Sequence, residues 1–127
     1  MQKAIDTKAA PAAVGPYSQG VLFDHLLFVS GQLGLTVKGN LAGEDVTSQT
    51  RQALENIKAI LKAAGMGFED VLKTTVFLTS MDDFALVNSI YQDYFVAPYP
   101  ARACIEISRL PKDGKVEIEV VAAKNGE

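Results

Sequence analysis

The chain has 127 residues, 48% hydrophobic and 21% charged, enough for one domain with a real core and too few for two. Twelve Lys and Arg against fifteen Asp and Glu give a net charge of −3, which argues against nucleic acid as the main partner, and one cysteine with one histidine excludes an intrachain disulfide and the usual Cys/His zinc site. No stretch reaches the roughly 18 apolar residues of a membrane span, and residues 1–12 lack the basic-then-apolar layout of a secretory signal, so a cytoplasmic protein with no membrane partner is expected.

Glycine and proline punctuate the chain without dividing it, so residues 1–127 read as a single domain. Gly20–Phe23 and Leu26–Ser30 are short apolar runs, two strands joined through Asp24-His25. From Thr47 to Ala64, Val46, Ala53, Leu54, Ile57, Leu61 and Ala64 recur at helical spacing, with Asp45 or Thr47 as the cap and Gly65 as a left-handed stop. Val71–Thr79, rich in β-branched and aromatic residues with one charge, suits a strand covered on both faces or nearly so. Ser80 stands where a cap belongs before a second helix, Asp82–Phe95, with Phe84, Val87, Tyr91, Tyr94 and Phe95 on one face. Asn88 shares that face one turn after Phe84, and such a residue needs a partner if buried.

Arg102–Arg109 alternates, with Arg102, Cys104, Glu106 and Ser108 on one side and Ala103, Ile105 and Ile107 on the other. Val116–Ala122 alternates likewise, and the compact Pro111–Lys115 turn between them predicts an antiparallel hairpin. The predicted order is β-β-α-β-α-β-β. Two helices cover only one face of such a sheet. The other, carrying residues such as Thr75, Phe77 and Val121, must meet something, which points to association through the sheet.

Arg102 has a planar guanidinium that holds a carboxylate through two parallel bonds, although an edge-strand arginine also pairs with local acids. Glu106, Glu117 and Glu119 are acids near the expected hairpin, any of which can position or deprotonate a water, and composition does not choose among them. Cys104 shares the side of Arg102, but no His–Cys spacing activates it, and a lone cysteine on a strand is more often a small buried residue. In Gly15-Pro16-Tyr17-Ser18-Gln19, Tyr17 offers a hydroxyl and a stacking face, or plugs the N-terminal arm. Ser30-Gly31-Gln32 ends a strand and either exposes backbone N–H groups to a ligand or simply turns.

Taken in order, these segments resemble one family. Gly15-Pro16-Tyr17-Ser18-Gln19, Ser30-Gly31-Gln32, Asn56-Ile57 with Gly65, and Lys73-Thr74-Thr75-Val76-Phe77-Leu78 match the RidA/YjgF family of reactive-intermediate imine deaminases. So do Phe84 with Asn88, Tyr91 and Phe95, then Pro100-Ala101-Arg102-Ala103-Cys104, Leu110-Pro111-Lys112-Asp113-Gly114 and Glu117-Ile118-Glu119. The resemblance implies an α+β, chorismate-mutase-like fold, a mixed sheet with two helices on one face, and a homotrimer with a central barrel-like core and clefts between subunits. It implies hydrolysis of 2-iminobutanoate and 2-iminopropanoate to 2-oxoacids and ammonia. No cofactor or metal is needed, and the imines come from pyridoxal-phosphate dehydratases that need not bind the protein. Carried onto this chain, Arg102 clamps the substrate carboxylate and Glu117 activates the water. Tyr17, the backbone at Gly31 and Cys104, and less directly Asn88 line the cleft. The same resemblance leaves two rivals, a non-enzymatic 2-oxoacid-binding or chaperone-like regulator and an endoribonuclease or translation inhibitor, the second disfavoured by the acidic charge and single histidine.

Overall fold

The apolar stripe of the first helix forms as expected. In a computed structural model, which describes residues 1–124, helix α1 spans Val46–Ala63 and buries Val46, Ala53, Leu54, Ile57, Ile60 and Leu61. The Asp45 carboxylate caps it by accepting from the Ser48 N–H at 2.8 Å, and Gly65 takes the left-handed conformation beyond its end, φ +74°. Its buried polar residues are all satisfied: Thr50 donates to the Val46 carbonyl, and Asn56 donates to the carbonyls of Leu33 and Leu35 at 3.2 and 2.9 Å.

The strands are β1 (Gln2–Ile5), β2 (Gly20–Phe23), β3 (Leu26–Leu33), β4 (Val71–Leu78), β5 (Ala101–Glu106) and β6 (Val116–Ala123), and the second helix, α2, is Phe84–Tyr91. They form one sheet in the order β1-β2-β3-β6-β4-β5, antiparallel throughout except for the parallel β4–β5 pair, whose crossover contains α2. Both helices lie on one face, over Leu27, Val29, Val76, Leu78, Ile118 and Val120.

Several expectations change. The last two strands are not a hairpin: β6 leaves its neighbour in sequence at the sheet edge and inserts between β3 and β4. The inward residues explain this. Val116, Ile118, Val120 and Ala122 are all fully buried and belong at the centre, whereas β5 carries Arg102 and Glu106 and belongs at an edge. The N-terminal β1 has no strong strand pattern and is formed by pairing with β2. The second helix stops at Tyr91, its remainder to Phe95 continuing as turns, and β5 stops at Glu106 rather than Arg109.

The face without helices carries Thr75, Phe77 and Val121, as expected, together with Phe28, Ile105, Glu117 and Glu119. In the single chain this face stays open, with Phe28 48% and Ile105 45% exposed, so β4 is covered on its helix side only.

Candidate functional site

The alternation of side chains along a β-strand decides where each candidate points. Glu117 pairs with Phe77 and faces the open side of the sheet. Arg102 pairs with Thr74, itself opposite Val120, and faces the helices. Within one chain the two are therefore on opposite faces.

Glu117 lies in an open cleft of about 940 Å³, shared with Tyr17, Ser30, Gly31, Lys112 and Glu119. The cleft exists because β3 leaves its regular ladder with β6 between Val29 and Gln32. At that irregularity Ser30 donates its hydroxyl to the Ser18 carbonyl at 2.6 Å and its N–H to the Gln19 carbonyl at 2.9 Å, holding the Tyr17 loop against the strand. Buried Gln19 ties the N-terminal arm in turn, accepting from the Thr7 N–H at 2.7 Å and donating to the Pro11 carbonyl at 2.8 Å. Tyr17 keeps its ring exposed, and its hydroxyl accepts from the Val14 N–H at 3.4 Å. A Cβ on Gly31 would stand 2.8 Å from the Glu117 carboxyl carbon, so the absence of a side chain there makes room for the carboxylate. Burial, and secondarily the negative charge of Glu119, pushes the Glu117 carboxyl above the usual glutamate range. Lys112 closes the rim by donating to the Gly39 carbonyl at 3.0 Å.

Arg102, Asn88 and Cys104 form a second group at the other side of the sheet. The guanidinium donates through Nη1 to the Asn88 side-chain oxygen at 2.7 Å, and its carbon lies 4.9 Å from the Tyr91 ring centre and 5.6 Å from that of Phe84. Among the described residues it has no acidic partner; the ion pairs there are Arg51–Asp93 and Arg109–Asp113. The local-acid reading of Arg102 is thus not what the fold contains. Burial pushes the Cys104 thiol up, against the opposing pull of Arg102, so the sulfur stays protonated and is a poor nucleophile. Its backbone is better placed. Ile107 donates its N–H to the Leu78 carbonyl at 2.8 Å, and by parallel-strand alternation the N–H groups of Arg102 and Cys104 point outward from the sheet edge.

The remaining acids separate as well. Glu106 accepts from the Met81 N–H at 2.6 Å and serves the turn before α2, while Glu119 shares the cleft and the strand face of Glu117. His25 sits in the β2–β3 turn, at the far end of the β3–β6 ladder from Glu117. Among the described residues no group of three or more His, Cys, Asp and Glu side chains could hold a metal ion, and no helix is long and apolar enough to cross a membrane. Sequence reasoning missed two contacts. One is Lys112, hidden within an apparent turn. The other is the ring of Tyr91 against Arg102, whose only signal was its place seven residues after Phe84.

The family model described as Endoribonuclease L-PSP matches residues 7–124. The 2-iminobutanoate/2-iminopropanoate deaminase of Salmonella typhimurium is 49% identical over 98% of this chain and 99% of its own length. That of Bos taurus is 48% identical over 98% and 91%. The crystal structure of E. coli TdcF with bound serine superposes with a TM-score of 0.92 at 45% identity, covering 97% of this chain and 99% of that one. With a match spanning nearly every residue that builds both clusters, the chain belongs to the Endoribonuclease L-PSP family, the RidA/YjgF family its sequence resembles.

Proposed function

We propose that this protein hydrolyses small 2-imino acids, 2-iminobutanoate and 2-iminopropanoate, to 2-oxoacids and ammonia, at a site completed by a second copy of the chain. The observation that carries the reading is the pair of half-sites: a charged guanidinium with no acid beside it among the described residues, and a half-buried carboxyl in a cleft. Each lacks what the other has. The assembly is a homotrimer whose sheets turn inward as a barrel-like core, which covers Phe28 and Ile105 and brings the edge strand of one subunit to the cleft of the next.

In this site the substrate carboxylate takes the free donors of Arg102 and the outward N–H of Cys104, with Tyr17 against the ligand. Glu117, ionised, takes a proton from a water whose oxygen bonds to C2 as the C=N pair moves to nitrogen. Glu117 then passes that proton to the nitrogen of the tetrahedral adduct. Glu117 next takes the adduct's hydroxyl proton as the C–N bond breaks and C=O forms, and the departing ammonia carries that proton away as ammonium, leaving the 2-oxoacid. Because an iminium carbon is already electrophilic, placing water and carbon together supplies much of the acceleration. The imine comes from pyridoxal-phosphate dehydratases acting in the same cytoplasm, without a required complex.

A coupled assay tests this. Threonine dehydratase generates the imine, and 2-oxobutanoate release is followed with and without the protein. Wild type should accelerate release, Arg102→Ala should raise KM at least about tenfold, and Glu117→Ala should abolish turnover while still binding 2-oxobutanoate. Wild-type turnover by Glu117→Ala would overturn the mechanism.

A further inference from the structure

Phe84, Asn88 and Tyr91 fall at i, i+4 and i+7 of α2, and all three touch the guanidinium of Arg102. They do not contribute alike. Asn88 engages one nitrogen. Phe84 is only partly buried, and its ring is the farther of the two. Tyr91 is 6% exposed and fixed from two directions. Its hydroxyl shares a 2.8 Å hydrogen bond with the buried Thr74 hydroxyl, on the strand residue paired with Arg102 itself. Its ring stacks on Phe95 at 4.3 Å between centres, and Phe95 packs edge-on against Phe68 at 5.0 Å.

An exposed arginine is otherwise free about its several side-chain bonds. The chain could hold it with a carboxylate, but that carboxylate would neutralise the charge and compete with the substrate for the same donors. An aromatic face attracts the cation through its quadrupole and leaves the N–H edge unoccupied. An amide oxygen takes a single donor. The guanidinium is thereby held without being spent.

We propose that Tyr91, anchored by Thr74 and Phe95, is the positioning residue for Arg102, fixing the guanidinium so that its remaining donors meet a carboxylate ligand in one geometry. This rests on the assignment of Arg102 as the carboxylate clamp.

The test compares Tyr91→Leu, Tyr91→Phe and Phe84→Leu for kcat and KM with 2-iminobutanoate, and for inhibition by 2-oxobutanoate and by its uncharged amide. Tyr91→Leu should raise KM about tenfold with kcat changed less than about threefold. It should weaken 2-oxobutanoate inhibition in the same proportion and leave inhibition by the amide unchanged. Tyr91→Phe, which keeps the ring, should recover most of the loss. Should Tyr91→Leu fail to fold, Phe84→Leu, at the more exposed ring, should show a smaller rise with the same selectivity for the acid. A loss falling on kcat alone, or equally on acid and amide, or an unchanged KM, overturns the proposal. Arg102→Ala separates the two claims: if it leaves KM and acid inhibition intact, the clamp assignment fails, whereas if it abolishes acid binding while the Tyr91 and Phe84 variants do not, only the positioning role fails.

Discussion

Gly31 carries no side chain, and the Glu117 carboxyl fills the space a methyl group would take. Gly31→Ala should therefore displace the carboxyl, which sits at the end of a flexible side chain, rather than the backbone. We expect turnover to fall at least about tenfold with the melting temperature nearly unchanged. Parallel kinetics and thermal melts check this. The raised proton affinity of Glu117 has a direction in both activity and stability. Turnover needs the ionised form, so kcat/KM should fall with acidification at a pH above the usual glutamate range, and Glu119→Gln should move that fall to lower pH. For stability, the folded state holds the proton more tightly than the unfolded one. Folding is then favoured most below the unfolded-state pKa, and this contribution is lost as pH rises through the folded-state pKa. Glu117→Gln should therefore abolish turnover yet raise the melting temperature at neutral pH. At this scale the sequence offered candidates and was silent on context. Side-chain type left Arg102 as a carboxylate clamp or the partner of a local acid and left Glu106, Glu117 and Glu119 equal; only the family resemblance singled out Arg102 and Glu117. Nothing local showed that Arg102 lies against rings rather than beside an acid, because those rings arrive from another element.

Among the elements, α1 was legible down to its cap because its signals are local: an apolar stripe, Asp45 and Gly65 all act within a few residues of one another. The pairing of β6 was not. Alternation in β5 and β6 correctly assigned side chains to faces, but alternation is blind to which strand lies next to which, and a short turn-forming run between two strands is equally compatible with a hairpin or a crossing to the far side of β4. What decides is how much buried apolar surface each strand offers, summed over the whole sheet. Asn56 shows the same limit, since its helix position is obvious while its service to the end of β3 is not. Asn56→Ala strips the Leu33 and Leu35 carbonyls of a buried donor and should cost about 1–3 kcal/mol. Leu54→Ala, in the fully buried stripe, should cost about 2–5 kcal/mol. Urea denaturation of both variants measures these losses.

For the whole molecule, the open face of the sheet was inferred from a count of helices, and Phe28, Ile105 and the partly buried Phe77 are found there. The separation of Arg102 from Glu117 across the sheet gives the proposed assembly a sharp consequence. At imine concentrations well below the raised KM of Arg102→Ala, neither that variant nor Glu117→Ala alone should turn over more than a small fraction of what wild type does, but the two mixed during refolding should regain activity. In a closed three-membered ring, each mixed assembly contains one seam with both residues intact, so random mixing should restore about a quarter of wild-type turnover. Activity that stays absent after verified mixing would mean that both groups serve one chain. Native mass spectrometry of the mixture reports the ring size and the exchange directly.

The insertion of β6 between β3 and β4 also bears on how the protein is made. A ribosome delivers this strand after its five companions, yet it is the one that bridges them. Until it emerges, the β1–β3 and β4–β5 ladders have no partner joining them, and two apolar strand edges wait beside each other. Nascent chains halted before Val116 should be digested readily by protease, and protection should appear in one step once β6 clears the exit tunnel, rather than building up strand by strand.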